Sequence, residues 1–471
     1  MSEQEAEERM GAFDAVMWGV ESDPLLRSVI VAMIVLDQAP DMEVAHERVE
    51  LMSLAVPKLR KRAIGNPLSV VAPRWETDPN FDLDYHFREQ RVVDDGTLRP
   101  ALEVAERMAE QDFDRHRPAW EVAIVTGLYE GKSAAIVKIH HSITDGVGGM
   151  AMAAYLFDLT REPRTDLGPM PEAPGDNVLD PKGRLTAAVE YQGRDLLSAA
   201  RQLATGSVGL AKQAVSSPAA FAKDSVEFAQ STGRMLAPAN EPLSPIMTER
   251  SLSVYFDWLQ RPLEALKQAG KRHDATLNDA YMAAVVGGLM RYHARHDAPA
   301  KSGLRVNMPV NLRSGEDASS QGGNAWVPAR FAVPTDIEDP VERIKAFHPL
   351  LYKARTEKAL VLTGPVMQVL TELPTPITTS VSGGMMLGTD FAATNVPGPP
   401  IPIYMGGALI EELLTFAPKG GAAINLAFVS YDKRAIVGVN IDSKSIPDHQ
   451  VMMDCLNESF DEICALGMGE D

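Results

Sequence analysis

Two adjacent histidines followed by an acid and a glycine are the residues in this chain whose types and spacing best suit chemistry. His140 and His141 end an apolar stretch, and Asp145 and Gly146 follow them closely. Imidazole is the side chain whose ordinary pKa best suits removal of a proton near neutral pH. The pattern predicts a general base at the end of a strand, where a rigid scaffold can present it to a cleft.

The two histidines are not expected to share one site. Neighbouring side chains on a strand point to opposite faces, so a strand that continues through His140 and His141 separates their rings. This geometry argues against a two-histidine metal site. It favours one working imidazole and one packed partner.

The acid and the glycine have more than one possible role. Asp145 could orient an imidazole, as a triad acid does, or it could pair with an arginine and fix the loop, which we favour. For Gly146 we expect a backbone geometry or a close approach that a Cβ atom would prevent. Ser142 adjoins the histidines, but it lacks a visible triad partner and is a weak candidate nucleophile.

The segments around the motif predict a hairpin that leads into a helix. Residues 122–128 and 134–139 are typical of strands joined by a turn at Glu130-Gly131, and the small residues 148–156 indicate a helix. Further patterns predict strands at 29–36, 252–256, 304–312, 424–429 and 435–441. The last two strands would form a hairpin about Asp432-Lys433. Helices are predicted at 99–113, 280–293 and 341–360. Strands interleaved with helices in both halves predict an α/β or α+β fold with two similar domains.

Length and composition suggest how the chain divides. At 471 residues it exceeds one ordinary core. A proline-rich stretch at 161–181 is typical of a linker, and the alanine-rich residues 185–235 are typical of helix. That helical segment could be a connection, a lid or a lipid contact, and we favour packing against the domains. The predicted division is residues 1–165, a connecting segment at 166–245, and residues 246–471.

Charge and cysteine content limit the partners and the compartment. A formal charge of −19 argues against nucleic acid and against bulk adhesion to anionic membranes. The basic run at 58–62 could bind an anionic cofactor, although a solvated helix face is the interpretation we favour. The two cysteines, Cys455 and Cys464, suggest neither a disulfide framework nor a zinc site, which favours a reducing compartment. The acidic N-terminus has no signal-peptide pattern, and no apolar stretch predicts a membrane span.

Several sequence blocks resemble one family. The string HHSITDG at 140–146 resembles the signature of the condensation-type acyltransferases, which share the chloramphenicol acetyltransferase fold. Other blocks are similar to those of the bacterial wax ester synthase/acyl-CoA:diacylglycerol acyltransferases: PRW at 73–75, FDLDYH at 81–86, PAW at 118–120, ND at 278–279, MPVNLR at 308–313, GN at 323–324 and NVPGP at 395–399. Ala119 stands where that family has leucine. The blocks span nearly the whole chain in the family's order.

The resemblance implies both a fold and a reaction. It implies two similar chloramphenicol acetyltransferase-like domains, with mixed sheets flanked by helices, joined by a long helical linker around a tunnel. It implies His141 as the base, with His140 and Asp145 in supporting roles. The substrates would be acyl-CoA and either diacylglycerol or a long-chain alcohol, with no metal or redox cofactor. Direct transfer in a ternary complex needs no serine or cysteine nucleophile.

Asn278 and Asn395 are candidates for substrate binding, because a tetrahedral oxyanion needs hydrogen-bond donors. Each has a structural alternative. Thr276 and Asp279 form a capping-box pattern around Asn278, and residues 395–399 have good turn chemistry. We expect Trp75 and Trp120 in the core or the tunnel wall. His86 is expected to be structural.

The resemblance also suggests where the protein works and which alternatives to test. Apolar substrates predict a cytoplasmic protein in peripheral contact with the inner membrane face or with lipid droplets. One alternative is an acyltransferase of the same fold that uses another hydroxylated acceptor or a carrier-bound acyl donor. The other is a non-catalytic lipid-binding homologue, for which the departures at Ala119 and Ser142 leave room.

Overall fold

The computed structural model describes residues 8–65, 72–180, 182–188, 190, 241–311, 326–356 and 375–468. The strands among them are β1 (Val29–Leu36), β2 (Lys61–Ile64), β3 (Arg74–Thr77), β4 (Phe87–Arg91), β5 (Trp120–Thr126), β6 (Ser133–His140), β7 (Val254–Pro262), β8 (Leu304–Asn311), β9 (Trp326–Val333), β10 (Phe391–Pro397), β11 (Tyr404–Met405), β12 (Ala408–Phe416), β13 (Ile424–Tyr431) and β14 (Arg434–Asp442). The helices are α1 (Ala12–Val20), α2 (Met42–Ala55), α3 (Leu83–His86), α4 (Arg99–Glu110), α5 (Gly146–Ala153), α6 (Leu263–Lys271), α7 (Leu277–Arg295), α8 (Pro340–Arg355), α9 (Thr375–Met386) and α10 (His449–Met468).

The first sheet positions the two histidines. Within the described residues it has six strands in the order β11-β12-β1-β6-β5-β4. Neighbours are antiparallel except β4 and β5, which run parallel. The apolar sequence of β1 suits a strand in the middle of a sheet, and its first residue, Val29, lies opposite His140 at the end of β6.

The second sheet has the same size and is also mixed. Its described strands follow the order β7-β14-β13-β10-β8-β9, and β10 runs parallel to both β13 and β8. One face, including Phe391 and Leu426, belongs to the core that contains α7 and α10. The opposite face, including Val429 and Ile436, packs with the core of the first sheet. Two mixed sheets flanked by helices confirm the predicted fold class.

One hairpin from the C-terminal half completes the first sheet. The ladder between β12 and β1 runs from Phe416 opposite Val31 to Ile410 opposite Leu36. Phe416 also stacks on Phe256 of β7, with ring centroids 4.1 Å apart. Residues 404–416 of the C-terminal half thus belong to the first sheet. The predicted division at residues 165 and 245 therefore stays a prediction about folding units.

Helix α4 connects the two halves at an exposed sheet edge. Strand β7 is the edge strand, so its outward N–H groups need partners outside the sheet. The carboxylate of Glu106 accepts a hydrogen bond from the amide of Phe256 at 2.7 Å, and that of Glu110 accepts one from Val254 at 3.0 Å. Two side chains of the first half therefore complete the edge of the second sheet.

Local sequence patterns predicted most of these elements. Strand β1 has the expected bounds, and the two hairpin turns place Glu130, Gly131, Asp432 and Lys433 at positive φ. Helix α5 begins at Gly146, two residues before the expected start. Helix α8 ends at Arg355, and the rest of the expected helix at 341–360 lies largely outside the described residues.

The connecting segment is described only in part. Residues 182–188 are helical, whereas 191–240, most of the predicted linker helix, lie outside the described residues, as do 312, 313, 323 and 324 of the family-like blocks. Among the described helices, none has both the length and the apolar composition needed to cross a membrane. Cys455 and Cys464 are free and buried.

Candidate functional site

The backbone of both histidines is fixed by neighbouring strands. The amide of His140 donates to the carbonyl of Ala119 at 2.9 Å, and that of His141 donates to Ser28 at 2.8 Å. Sheet pairing therefore continues through both residues, one bond on each side of β6. The start of the motif loop, which we define as residues 140–146, is rigid for this reason.

The ring of His140 is held in the interior. Its Nδ1 accepts a hydrogen bond from the Ser142 amide at 3.0 Å and lies 2.7 Å from the Ser142 hydroxyl. Because an amide N–H can only donate, the ring proton belongs on Nε2, which lies 3.0 Å from the Glu21 carboxylate. Trp18 packs its ring against the imidazole at 4.7 Å. His140 is fully buried, so it is the packed partner of the pair.

Glu21 is a site residue that the sequence did not reveal. Its carboxylate also accepts the Ser28 amide at 2.7 Å and lies 3.5 Å from Arg115. Burial alone would raise the pKa of Glu21, but the interactions with His140, Ser28 and Arg115 together hold that pKa below its ordinary value. Nothing in the sequence near Glu21 distinguishes it from a solvated acid, and two of its partners, His140 and Arg115, lie far along the chain.

His141 differs from His140 in its exposure. Its side chain is half-buried, whereas that of His140 is inaccessible to solvent. The two neighbours thus have separate environments, as strand geometry predicted. Of the two imidazoles, that of His141 can be reached from outside.

Asp145 begins helix α5. Its Oδ1 atom accepts a hydrogen bond from the Gly148 amide at 2.8 Å in an N-cap arrangement. This contact fixes the loop, which is the kind of role we favoured for Asp145. The assignment of Asp145 as a supporting residue stays a prediction.

Lys58 lies beside the motif loop. Its ammonium is 3.5 Å from the Ser142 carbonyl and 4.0 Å from the Asp14 carboxylate. Burial lowers the pKa of Lys58, while attraction to Asp14 and Asp145 opposes that effect. The predicted solvated helix face at 58–62 is wrong, because these residues form a 3-10 turn followed by β2, and Arg60 packs over the ring of Phe81.

Gly146 packs against the second half of the chain. A Cβ atom at this position would lie 2.6 Å from Cγ2 of Val396, which is far inside van der Waals contact. The close approach expected for this glycine is therefore present. It places the motif loop directly on strand β10.

The two candidate asparagines form a pair. The Nδ2 atom of Asn395 donates to Oδ1 of Asn278, and Val396, the next residue, touches the motif loop. The capping box is also present, since Thr276 accepts from the Asp279 amide and the Asp279 carboxylate accepts from the Thr276 amide. The turn interpretation of residue 395 is wrong, because Asn395 is in strand β10, opposite Phe428 in the ladder.

The other singled-out residues are structural. Trp75 and Trp120 are buried in the first core. His86 stacks on Trp120 with centroids 4.6 Å apart and donates from Nδ1 to the Trp120 carbonyl. Ser142 is buried and hydrogen-bonded to His140, so its position does not suit a nucleophile. Within the described part of the chain, no three or more His, Cys, Asp or Glu side chains converge as a metal site would require.

Sequence comparison identifies relatives over the whole chain. Residues 10–281 match the family described as "Wax ester synthase/diacylglycerol acyltransferase catalytic domain", and residues 322–464 match "WS/DGAT C-terminal domain". A protein of Mycobacterium tuberculosis (strain ATCC 25618 / H37Rv) named "Putative diacyglycerol O-acyltransferase" is 34% identical over 462 residues, which cover 98% of this chain and 93% of the relative.

Structural comparison finds the same architecture in solved proteins. A wax ester synthase/diacylglycerol acyltransferase from Marinobacter aquaeolei VT8 has a TM-score of 0.61 at 21% identity, covering 97% of this chain and 98% of that chain. The first condensation domain of the calcium-dependent antibiotic synthetase has a TM-score of 0.58 at 15% identity, covering 98% and 96%. At these identities the similarity shows the fold alone.

Proposed function

Because the chain belongs to the wax ester synthase/diacylglycerol acyltransferase family, we propose that it transfers a fatty acyl group from acyl-CoA to a hydroxyl group. The acceptor in this proposal is a diacylglycerol, which yields triacylglycerol, or a long-chain alcohol, which yields a wax ester. His141 is the general base, and the two substrates react directly in a ternary complex.

The different environments of the two histidines are the observation that supports this proposal most. His140 is buried and engaged by Glu21 and Ser142, so its ring cannot reach a substrate. His141 follows on the same rigid backbone with a half-buried side chain. A base needs this combination of fixed position and partial access.

The proposed reaction balances without any further group. The His141 imidazole takes the hydroxyl proton as the alcohol oxygen attacks the thioester carbonyl, giving a tetrahedral oxyanion. The carbon–sulfur bond then breaks, the ester forms, and the imidazolium returns its proton to the departing thiolate. The products are the ester and free CoA thiol.

Asn278 and Asn395 are the proposed donors toward the substrates. Each amide carries two N–H groups, and the hydrogen bond between the pair uses one of Asn395's. Asn395 adjoins Val396 in the chain, and Val396 contacts the motif loop. Such preorganised donors would stabilise the oxyanion or orient the thioester carbonyl.

Replacing His141 tests the mechanism. We expect His141→Ala to reduce thiol release from palmitoyl-CoA, with dipalmitoylglycerol or hexadecanol as acceptor, about 100- to 10,000-fold, the usual contribution of a general base. Free thiol is measured colorimetrically and the ester product by chromatography. His46→Ala is the matched control, since His46 is partly exposed and pairs with Asp84.

Equal thiol release by wild type and His141→Ala would exclude His141 as the base. Binding of acyl-CoA by the wild type without release to either acceptor would favour the non-catalytic alternative. Release with a carrier-bound acyl donor in place of acyl-CoA would favour the alternative of a same-fold acyltransferase that uses a different donor.

We also propose that the protein works at a lipid surface, the inner membrane face or lipid droplets, because its proposed acceptors and products are apolar. We expect it to float with phosphatidylcholine vesicles that contain diacylglycerol, because apolar surface binds at the boundary of the acyl chains. Flotation should be insensitive to salt, because apolar contact is not screened. Recovery only in the bottom fraction, or release by 0.5 M salt, roughly enough to screen charges at contact range, would contradict the proposal.

A further inference from the structure

Lys58 places a positive charge directly against the motif loop. Its Nζ atom lies 3.5 Å from the carbonyl oxygen of Ser142, the residue that follows His141. That oxygen is at most about 6 Å from the Cα atom of His141, because consecutive Cα atoms lie about 3.8 Å apart. The ammonium is therefore within about 10 Å of this Cα atom, a range at which a charge still acts on a titratable group.

The contacts of Lys58 are long for hydrogen bonds. An N–H donor usually lies about 2.9 Å from its oxygen acceptor, whereas the ammonium is 3.5 Å from the Ser142 carbonyl and 4.0 Å from the Asp14 carboxylate. Only 27% of the Lys58 side chain and 6% of the Asp14 side chain are exposed. Charges in such surroundings are screened less than charges in water, so the ammonium acts here mainly through its charge.

Two carboxylates beside the motif loop balance this charge. Asp14 of α1 and Asp145, the N-cap of α5, both favour the charged form of Lys58, while burial opposes it. Glu21 and Arg115, the charged groups around the neighbouring imidazole, offset each other at 3.5 Å. Lys58 is therefore a cation that compensates Asp14 and Asp145 next to the motif loop.

The other elements packed around Lys58 do not change this balance. Arg60, on the same turn, lies 3.9 Å from the Glu50 carboxylate. Strand β3 presents the neutral ring of Trp75, whose centroid is 5.4 Å from the ammonium. Loss of the Lys58 charge would thus leave an excess of negative charge beside the loop.

We propose that Lys58 is a positioning residue that keeps the His141 imidazole neutral and so ready to accept a proton. The inference rests on the proposed function in one respect, since it takes His141 as the base. A cation disfavours a second positive charge nearby, and a base accepts a proton only in its neutral form. Without the ammonium, the carboxylates of Asp14 and Asp145 would favour the imidazolium instead.

Direct titration of His141 tests the proposal without relying on turnover. The ring signals of isotope-labelled histidine are followed by NMR from about pH 5 to pH 8, where imidazole titrates. The signal lost in His141→Ala identifies the residue. We expect Lys58→Gln, which keeps an N–H donor but no charge, to raise the pKa of His141 by about 0.5 to 1, the effect of one charge at about 10 Å in a partly hydrated site. Lys58→Arg, which keeps the charge, should leave the pKa of His141 near its wild-type value.

The pH dependence of the rate is a second measurement. The kcat/KM for palmitoyl-CoA with hexadecanol should fall at acid pH as the base is protonated, and this fall should begin at a higher pH in Lys58→Gln. At about pH 6, below the ordinary histidine pKa, the variant should lose roughly three- to tenfold more of its high-pH rate than wild type loses. Lys345→Gln is the control with unchanged pKa and rate profile, because Lys345 is half-exposed and pairs with Glu342 on α8.

Each other outcome has a defined meaning. An unchanged pKa of His141 in folded Lys58→Gln would overturn the proposal, and so would an equal rise in Lys58→Arg, which would show that side-chain fit matters rather than charge. If Lys58→Gln does not fold, Asp14→Asn decides. Asp14→Asn leaves the ammonium uncompensated and should lower the pKa of His141, whereas an unchanged or higher value would contradict the proposal. Absence of turnover by the wild type would refute the proposed function and leave the titration of His141 to decide the role of Lys58.

Discussion

A single buried carboxylate, that of Glu21, assigns different roles to two chemically identical side chains. It faces Nε2 of His140 while Ser142 faces Nδ1, so both nitrogens of that ring are engaged. The sequence of acid, imidazole and hydroxyl is the order found in a catalytic triad. Here the hydroxyl is buried, and the arrangement holds a loop in place.

Glu21 should make stability depend on pH. A carboxyl whose pKa is lowered in the folded state stabilises the protein above its unfolded pKa, and this contribution is lost as the pH falls through the folded pKa. We expect Glu21→Gln to lower the free energy of unfolding by about 1–3 kcal/mol at pH 7, the cost of a disrupted buried hydrogen bond. The deficit should shrink as the pH falls below 4.5, the ordinary value for this group.

Urea unfolding of wild type and variant from pH 7 down to about pH 3, well below the ordinary carboxyl pKa, measures this difference. Glu47→Gln on the exposed face of α2 is the control. A deficit that stays constant over the whole pH range would show that the Glu21 charge does not contribute.

At the scale of elements, the contact between α5 and β10 joins the motif loop to the second sheet. Valine is stiff at χ1, so Val396 cannot easily move away from an added methyl group. We expect Gly146→Ala to destabilise the protein by about 1–3 kcal/mol through overpacking. Its kcat should fall too, because the motif loop would shift.

A compensating substitution distinguishes overpacking from backbone effects. Val396→Ala removes the atom that the new Cβ would meet at 2.6 Å, so Gly146→Ala/Val396→Ala should recover part of the stability lost in Gly146→Ala. Chemical denaturation of all four proteins gives the interaction energy. Strict additivity of the two single changes would contradict the proposed clash.

The elements that sequence predicted are those with local patterns. The uninterrupted apolar run of β1 and the turn residues at Asp432-Lys433 predict their structures from a few neighbouring side chains. The strand at Asn395 was not predicted. It forms through parallel pairing with β13 and β8, whereas the prolines and glycine at 397–399 are typical of turns. The role of Glu21 depends on its contacts with His140 and Arg115, which lie far along the chain, so no single stretch of sequence contains it.

At the scale of the whole molecule, the hairpin of β11 and β12 makes the first sheet depend on the C-terminal half of the chain. Without β12, the apolar strand β1 would become an unpaired edge, which promotes aggregation. We expect a fragment of residues 1–245 to show no cooperative thermal unfolding by circular dichroism. Coexpression with residues 246–471 should restore a cooperative transition and the proposed activity.

A protein cut within 191–240 but retaining both pieces is the matched control. It keeps every described strand of both sheets, so it should stay associated and unfold cooperatively. Cooperative unfolding of the 1–245 fragment alone would show that β12 is dispensable for the first half.

The hairpin of β11 and β12 also limits how a product of the proposed reaction could leave. A protein whose two lobes meet only at a surface can release its product by swinging them apart like a clamshell. Here the lobes share a ladder of backbone hydrogen bonds between β1 and β12, so separating the lobes would break those hydrogen bonds. If the protein makes long-chain esters as proposed, these products would leave lengthwise without separation of the lobes. Turnover should then slow as the product chain lengthens, even when the bond-forming step is unchanged.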